Sequence, residues 1–251
     1  MDEIKDYWEN ETCGTGKVIT GDSIKFSKEW FDKIEEYRYA VEPFIHSAAQ
    51  FTRHRGKKLL EIGVGAGTDH LQWARAGALC HGVDLTQAAI ETTKLLFEKR
   101  GYKSSLQNID AESLPFPNDY FDIVYSWGVI HHSENPQHII DEIRRTLKPG
   151  GMFIGMMYAR HSLWMLMMWV RFALLKARPW RTFSKVLFAG HSESKGTKAY
   201  TIKELGIMFK QFSKFEAKHI LTNADKYKWP VWLRRHFPEN WGWYIEIKAQ
   251  K

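Results

Sequence analysis

The first residues to consider are three carboxylates and three glycines whose spacing suits one nucleoside-type ligand. The run KKLLEIGVGAGTDHLQWARAGA, residues 57–78, places Glu61, Gly63, Gly65 and Gly67 between a short apolar segment and an amphipathic one. A tight strand-to-helix turn needs residues without side chains, both to reach unusual backbone angles and to let a ligand approach the main chain. The helix that follows aims unpaired N–H groups and a positive dipole end at the turn, which suits a carboxylate or phosphate. Asp84 closes the next apolar run, where an acid accepts hydrogen bonds from both hydroxyls of a ribose. Asp110, in DAESLPF, is placed to accept from an adenine amine while Ile109 packs on the ring. The pattern E-x-G-x-G-x-G departs from the dinucleotide fingerprint G-x-G-x-x-G, which would need glycine at Thr68. Glycines alone also fit plain packing of helix on strand.

Bases and rings form a second group. His131 and His132 follow Ser126-Trp127-Gly128, and either one removes an acceptor's proton or both pack the next helix. His161 and His191 are comparable candidates. His191 with Glu193 makes a His-x-Glu pair, but no further ligands stand at metal-site spacing, so no metal is expected. Tyr7, Trp8, Tyr37, Tyr39, Trp127, Tyr158 and Tyr200 suit an aromatic box around a cation, or simple core packing. Arg38, between two of those tyrosines, either holds a substrate carboxylate or phosphate or pairs with Glu35 or Glu42 at helical spacing. Cys13 and Cys80 are the only cysteines and stand far apart, which suggests neither a disulfide framework nor a metal knuckle.

The elements that must position these residues are legible as alternating apolar runs and amphipathic segments, the mark of βα units around a parallel sheet. Strands are expected at 58–62, 79–83, 105–109, 121–126 and 152–157, and helices at 68–76, 86–99 and 136–147. Gly77 and Gly101 read as helix stops, and PFPND and KPGG as turns. A helix at 201–212 and strands at 215–221 and 243–249 complete an α/β, Rossmann-like, doubly wound sheet of seven strands, six parallel and the last antiparallel. Residues 1–55 read as an N-terminal cap, 56–158 as the cofactor-binding core, 159–200 as an inserted lid, and 201–251 as the rest of the sheet with an aromatic-rich insertion at 222–242. Long connections of this kind usually carry function.

The ordered motifs LLEIGVGAG, GVDLT, DAESLPF, FDIVYSWGVIHH and LKPGG span about one hundred residues. Together they resemble a class I S-adenosylmethionine-dependent methyltransferase, most closely the ubiquinone/menaquinone-type branch that acts largely on small molecules. The resemblance implies S-adenosylmethionine as cofactor and S-adenosylhomocysteine as product. It carries Gly63, Gly65 and Gly67 to the amino acid end of the cofactor, Asp84 to the ribose and Asp110 to the adenine. Glu61 falls near the glycine turn, and Leu85, Ala111, Ser126 and Trp127 along the same site. The expected reaction is methyl transfer to an oxygen or nitrogen of a small molecule, with a lipid-like or quinone acceptor as the alternative, and nucleic-acid methylation or binding, or a non-catalytic cofactor-binding protein, as the readings from another class.

Charge narrows the partners. Lys+Arg against Asp+Glu is 8 to 11 over residues 1–55, 10 to 12 over 56–158, and 18 to 6 over 159–251, so the net +7 belongs to the last third. The stretch SLWMLMMWVRFALLKA, 162–177, is too short and too soon interrupted by arginine to span a bilayer. It fits a lid helix over an apolar pocket, or a peripheral contact of 160–185 with a membrane interface. Nucleic-acid methylation is disfavoured, because the fourth strand ends SWGV in place of an Asn/Asp-Pro-Pro-Tyr/Phe loop. The charged amino terminus lacks a secretory pattern, and a cytoplasmic setting is expected, with peripheral contact at the inner membrane face as the alternative.

Overall fold

In a computed structural model of the chain, all residues are described except 1, 11, 13, 189–193, 195, 227–229, 231 and 233–235, together with the side chains of 2–4, 10 and 188. The sheet has the order β3-β2-β1-β4-β5-β7-β6. Its strands are β1 (Lys58–Ile62), β2 (Leu79–Asp84), β3 (Ser105–Asn108), β4 (Phe121–Trp127), β5 (Leu147–Tyr158), β6 (Lys214–Ile220) and β7 (Tyr244–Gln250). Pairing is parallel from β3 through to β5, and β7 lies antiparallel between β5 and β6. The helices are α1 (Asp2–Asn10), α2 (Lys17–Thr20), α3 (Lys28–Val41), α4 (Phe44–Ala49), α5 (Thr68–Arg75), α6 (Gln87–Arg100), α7 (Pro136–Thr146), α8 (Leu163–Phe172), α9 (Phe183–Phe188), α10 (Ile202–Met208) and α11 (Asn223–Lys226).

The central strands carry apolar residues at successive positions because both faces of the sheet are covered. Successive residues point to opposite faces: Leu59 and Ile123 join a core with Trp30, Phe31, Leu71 and Trp73, while Leu60 and Val124 join another with Ile140, Ile143, Leu205 and Phe209. Each large side chain so buried is worth about 1.5–3 kcal/mol relative to exposure. Local signals set the helix ends. Thr86 caps α6 through the Ala89 amide, Gly101 ends it with a left-handed backbone, and Thr201 with Glu204 forms a capping box on α10.

Two details differ from the sequence expectations. KPGG is a turn enclosed within β5: Leu147 pairs with Phe121 and Met152 with Ile123, so the extra residues form a bulge at Gly150, where φ is +78°. The segment EWFDKIEEYRYAVEPFI is split at Pro43 into α3 and α4, because the residue before a proline is pushed out of helical geometry.

The order of strands reverses between β1 and β4. That reversal opens a crevice beyond their carboxyl ends, where ligands of open α/β sheets bind.

Candidate functional site

A cavity of about 330 Å³ fills that crevice. One wall is the glycine turn after β1. Gly63, Gly65 and Gly67 all have positive φ, at +80°, +53° and +79°, but they do different work. A Cβ on Gly63 would stand 2.2 Å from Val129 Cγ2, one on Gly67 would stand 2.8 Å from Thr93 Oγ1, and one on Gly65 would meet nothing within 4 Å. Gly65 therefore keeps open space at the cavity, whereas Gly67 lets α5 and α6 pack and stands outside the cavity wall. Gly63→Ala is expected to cost about 2–4 kcal/mol, from the forbidden φ and overpacking together. Gly65→Ala should cost only the backbone strain, about 1–2 kcal/mol. Urea denaturation of the two variants checks the difference.

Beside the turn, Asp84, Leu85, Asp110 and Ala111 line the wall at the ends of β2 and β3. The Asp84 carboxylate accepts from the Gly65 amide at 3.1 Å and from Thr86 N and Oγ1 at 3.0 and 2.8 Å, which ties the turn to the start of α6. Burial pushes its pKa up against those hydrogen bonds. Asp110 accepts from the Glu112 amide, and Ile109 and Val83 bring apolar surface to the same side.

Glu61 also reaches the cavity, but its partner is His70, 2.9 Å away, and His70 in turn meets Ser104 at 2.7 Å. Burial pushes the Glu61 carboxyl well up and holds the fully buried His70 down at about 3, which favours the neutral form of each. The donors then run in one direction: Glu61 O–H to His70 Nδ1, His70 Nε2–H to Ser104, and Ser104 O–H to the Cys80 carbonyl. The Cys80 thiol is pushed up to about 12 by burial and is not a nucleophile.

The opposite wall comes from the N-terminal segment and the ends of β4, β5 and β7. Arg38 donates to Asp69 through Nη2 at 2.7 Å and Nε at 3.4 Å, and pairs with Glu42 at 3.0 Å. Asp69 also accepts from Tyr39 and Tyr125, each at 2.9 Å. Glu42 accepts from Trp127 Nε1 at 3.1 Å and the Tyr244 hydroxyl at 2.9 Å. Burial beside Asp69 pushes both Tyr39 and Tyr125 up, so each stays a donor. Burial alone would push Asp69 up; the Arg38 charge and the bonds from Arg38, Tyr125 and Tyr39 outweigh it and hold the carboxyl below its ordinary value.

This network changes the reading of Arg38. Its charge is already met by two carboxylates, so it does not stand free as an anchor for a substrate carboxylate or phosphate. Glu35 is not its partner, since it binds Arg75 and Gln72. Sequence reasoning did not single out Asp69, Tyr125 or Tyr244, and it named Glu42 only as a partner of Arg38. The available signal for Asp69 was an acid in the first turn of a helix whose neighbours Leu71 and Trp73 are apolar.

The two histidines separate. His132 lines the cavity, with Nδ1 3.0 Å from Thr197 Oγ1 and its ring edge-on to Trp8 at 5.4 Å. His131 lies outside the wall, fully buried on the Tyr158 ring at 3.8 Å, and among the described residues neither ring nitrogen has a hydrogen-bond partner. Burial, with His132 adding to it, holds His131 well below the ordinary histidine range, so it packs as a neutral ring.

Trp8, Tyr37, Trp127 and Tyr158 line the cavity as expected of an aromatic wall. Others do not reach it. Tyr7 is exposed beside Trp8, Tyr39 is held behind the wall by Asp69, and Ser126 is buried in β4, donating to the Ile62 carbonyl. Exposed His161 meets Phe183, and Tyr200 packs in the core beside β5, where burial raises it to about 12. His191 and Glu193, like Cys13, lie outside the described residues. Among the described residues no group of His, Cys, Asp or Glu could hold a metal ion.

The described part of the inserted segment does not cover the cavity. Among the described residues, none from 159–200 or from 222–242 lines the cavity. The cover is N-terminal: Trp8 lies on the wall, and the neighbouring Glu9 carboxylate accepts from the Gln87 and Ala88 amides, each at 3.0 Å, at the start of α6. The end of the inserted segment instead supports the histidine loop, through the Lys198 amide to the His131 carbonyl and Thr197 to His132.

Residues 60–155 match the family model described as a methyltransferase domain. The methyltransferase YcgJ of Bacillus subtilis is 35% identical over 98 residues, covering 39% of this chain and 39% of that one. A ubiquinone biosynthesis O-methyltransferase of Cereibacter sphaeroides is 34% identical over 114 residues, covering 43% and 46%. A sterol 24-C-methyltransferase of Gibberella zeae is 31% identical over 101 residues, covering 39% and 27%. The chain thus spans less than half the length of these curated relatives. Among solved structures, the PH0226 protein of Pyrococcus horikoshii shares the fold over 98% of each chain, with a TM-score of 0.61 and 17% identity. The YcgJ structure superposes over 82% of this chain and 98% of its own, with a TM-score of 0.54 and 20% identity.

Proposed function

Since this chain belongs, through residues 60–155, to the class I S-adenosylmethionine-dependent methyltransferases, we propose that it transfers the methyl group of S-adenosylmethionine to an oxygen or nitrogen of a small molecule. The observation that carries this reading is the division of the cavity. One half has the open backbone at Gly65 and the carboxylates Asp84 and Asp110; the other has a ring wall around Glu42.

The residues present fit the cofactor. Gly63 and Gly65 would border its amino acid end, Asp84 would accept from the ribose, Asp110 from the adenine amine, and Leu85, Ile109 and Ala111 would pack along the nucleoside. The bound sulfonium supplies an electrophilic methyl group. Against Arg38, the carboxylates of Asp69 and Glu42 leave one net negative charge beside the cavity, which complements a cation.

What remains for the chain is to aim an acceptor, keep water out and take its proton. Glu42 suits the last role. It faces the cavity, its three donors hold it in one orientation, and a carboxylate offers about four acceptor positions, so one is left for an acceptor N–H or O–H. Trp8, Trp127 and Tyr158 supply ring surface for an aromatic or apolar body. His132 is the second base on the wall. The O- and C-methyltransferase relatives differ in the atom they methylate, so the choice of oxygen or nitrogen rests on Glu42.

Calorimetric titration with S-adenosylhomocysteine tests the cofactor assignment. One site per chain is expected, and Asp84→Ala should weaken binding at least about tenfold through loss of charge-assisted bonds. NAD binding with no response to S-adenosylhomocysteine would overturn it.

A further inference from the structure

The inserted segment carries a surface that the methyl-transfer site does not use. From Ala159 to Ser192 the sequence contains no aspartate or glutamate but six lysines and arginines. The first of these, Arg160, is paired with Glu204. Arg171, Lys176, Arg178, Arg181 and Lys185 form no ion pair with any described carboxylate. Half of the net positive excess of the last third of the chain lies in this stretch, and five of its six cations meet no described carboxylate.

The same stretch has an exposed apolar tip. Helix α8 is anchored through Leu163, Met165 and Met168, which are buried. After it the chain makes a compact knuckle, with a 3-10 turn at Leu174–Lys176 and a left-handed backbone at Ala177. Leu174, Leu175 and Trp180 project from it at 47%, 74% and 74% exposure. The knuckle is ordered by its own backbone: the Lys176 and Arg178 amides donate to the Ala173 carbonyl, that of Ala177 to Leu174, and that of Arg181 to Arg178. Trp169 Nε1 closes it on the Arg181 carbonyl at 2.6 Å. Several of its amides are thus met within the knuckle itself.

We propose that this knuckle docks on an anionic lipid surface, with Leu174, Leu175 and Trp180 entering the headgroup boundary and Lys176 and Arg178 meeting lipid phosphates. Tryptophan and leucine flanked by lysine and arginine is the composition that lies in a membrane interface, and stable attachment needs both an apolar and an electrostatic part. Nucleic acid would explain the cations but would leave two exposed leucines without a role. The mode is peripheral: among the described residues no helix is long and apolar enough to cross a membrane.

Flotation of the whole chain with two vesicle types tests this. Binding is expected to vesicles of equal parts phosphatidylcholine and phosphatidylglycerol, and at least about tenfold less to phosphatidylcholine alone. Leu175→Ser with Trp180→Ser, and separately Lys176→Glu with Arg178→Glu, should each abolish most of the binding. All four side chains are exposed, so both variants should keep the parent's affinity for S-adenosylhomocysteine, which separates loss of docking from loss of the fold or the cofactor site. Absence of binding to phosphatidylglycerol vesicles at low salt would overturn the proposal, as would undiminished binding by both variants. Salt-sensitive RNA binding, or self-association lost with Trp180→Ser, would also overturn it if seen without vesicle binding.

Discussion

Asp69→Ala is expected to lower the free energy of unfolding by about 3–5 kcal/mol, the cost of breaking a buried ion pair by removing one partner. Asp69 is buried and takes hydrogen bonds from Arg38, Tyr39 and Tyr125. Its removal leaves the Tyr125 phenol and part of a guanidinium without their acceptor and Tyr39 with only the Thr68 carbonyl at 3.5 Å, and each buried unmet donor has its own cost. Asp69→Asn should cost less, since an amide oxygen still accepts, but it gives up the charge that faces Arg38. The pH dependence has a definite sign. A carboxyl held below its unfolded value stabilises the fold above that value, near pH 4 for aspartate, and loses this contribution as pH falls through the folded pKa. The wild type should therefore lose stability below about pH 4 more steeply than Asp69→Asn. Urea denaturation across that range measures both, and equal slopes would show that Asp69 contributes nothing through its charge.

The second large effect is on turnover. Glu42→Gln is expected to reduce the transfer rate by about 10²-fold, within the range for loss of a positioned proton acceptor, while the affinity for S-adenosylhomocysteine stays within about threefold of the parent. The substitution keeps an oxygen that accepts from Trp127 or Tyr244, so the wall should survive. What is lost is basicity and one negative charge. The split between kcat and KM separates the roles: a proton acceptor shows in kcat, whereas an anchor that only holds the acceptor shows in KM. Should His132→Asn abolish turnover while Glu42→Gln leaves kcat intact, the proton goes to the histidine and the role given to Glu42 is wrong.

The parts of the site that were legible in the sequence are those set by local geometry. Strand ends and the turn between β1 and α5 lie within a few residues of one another, so the glycine spacing, Asp84 and Asp110 could be placed from period and punctuation alone. The Arg38 network could not, because its members come from distant parts of the chain. Asp69 is 31 residues from Arg38 and 56 from Tyr125; Glu42 is 85 from Trp127 and 202 from Tyr244. Only the closing of the sheet, with β7 inserted beside β5, brings Tyr244 to Glu42. The place of the inserted segment was hidden for a related reason. A helix apolar all round reads as a lid over a pocket, yet α8 sends Met165 into the main core and Met168 into a small one with Ala173 and Val186, and periodicity does not say where such a helix docks. His131 and His132 differ by one position and therefore by opposite environments, which a residue count alone does not assign.

The short helix α1 straddles both halves of the site. Trp8 leans on His132 at the end of β4, and Glu9 grips the first amides of α6, next to Asp84. One helix thus touches both the His132 side and the Asp84 side of the cavity. Under the proposed reaction, substitutions that detach Trp8 and Glu9 are therefore expected to change the binding of donor and acceptor together.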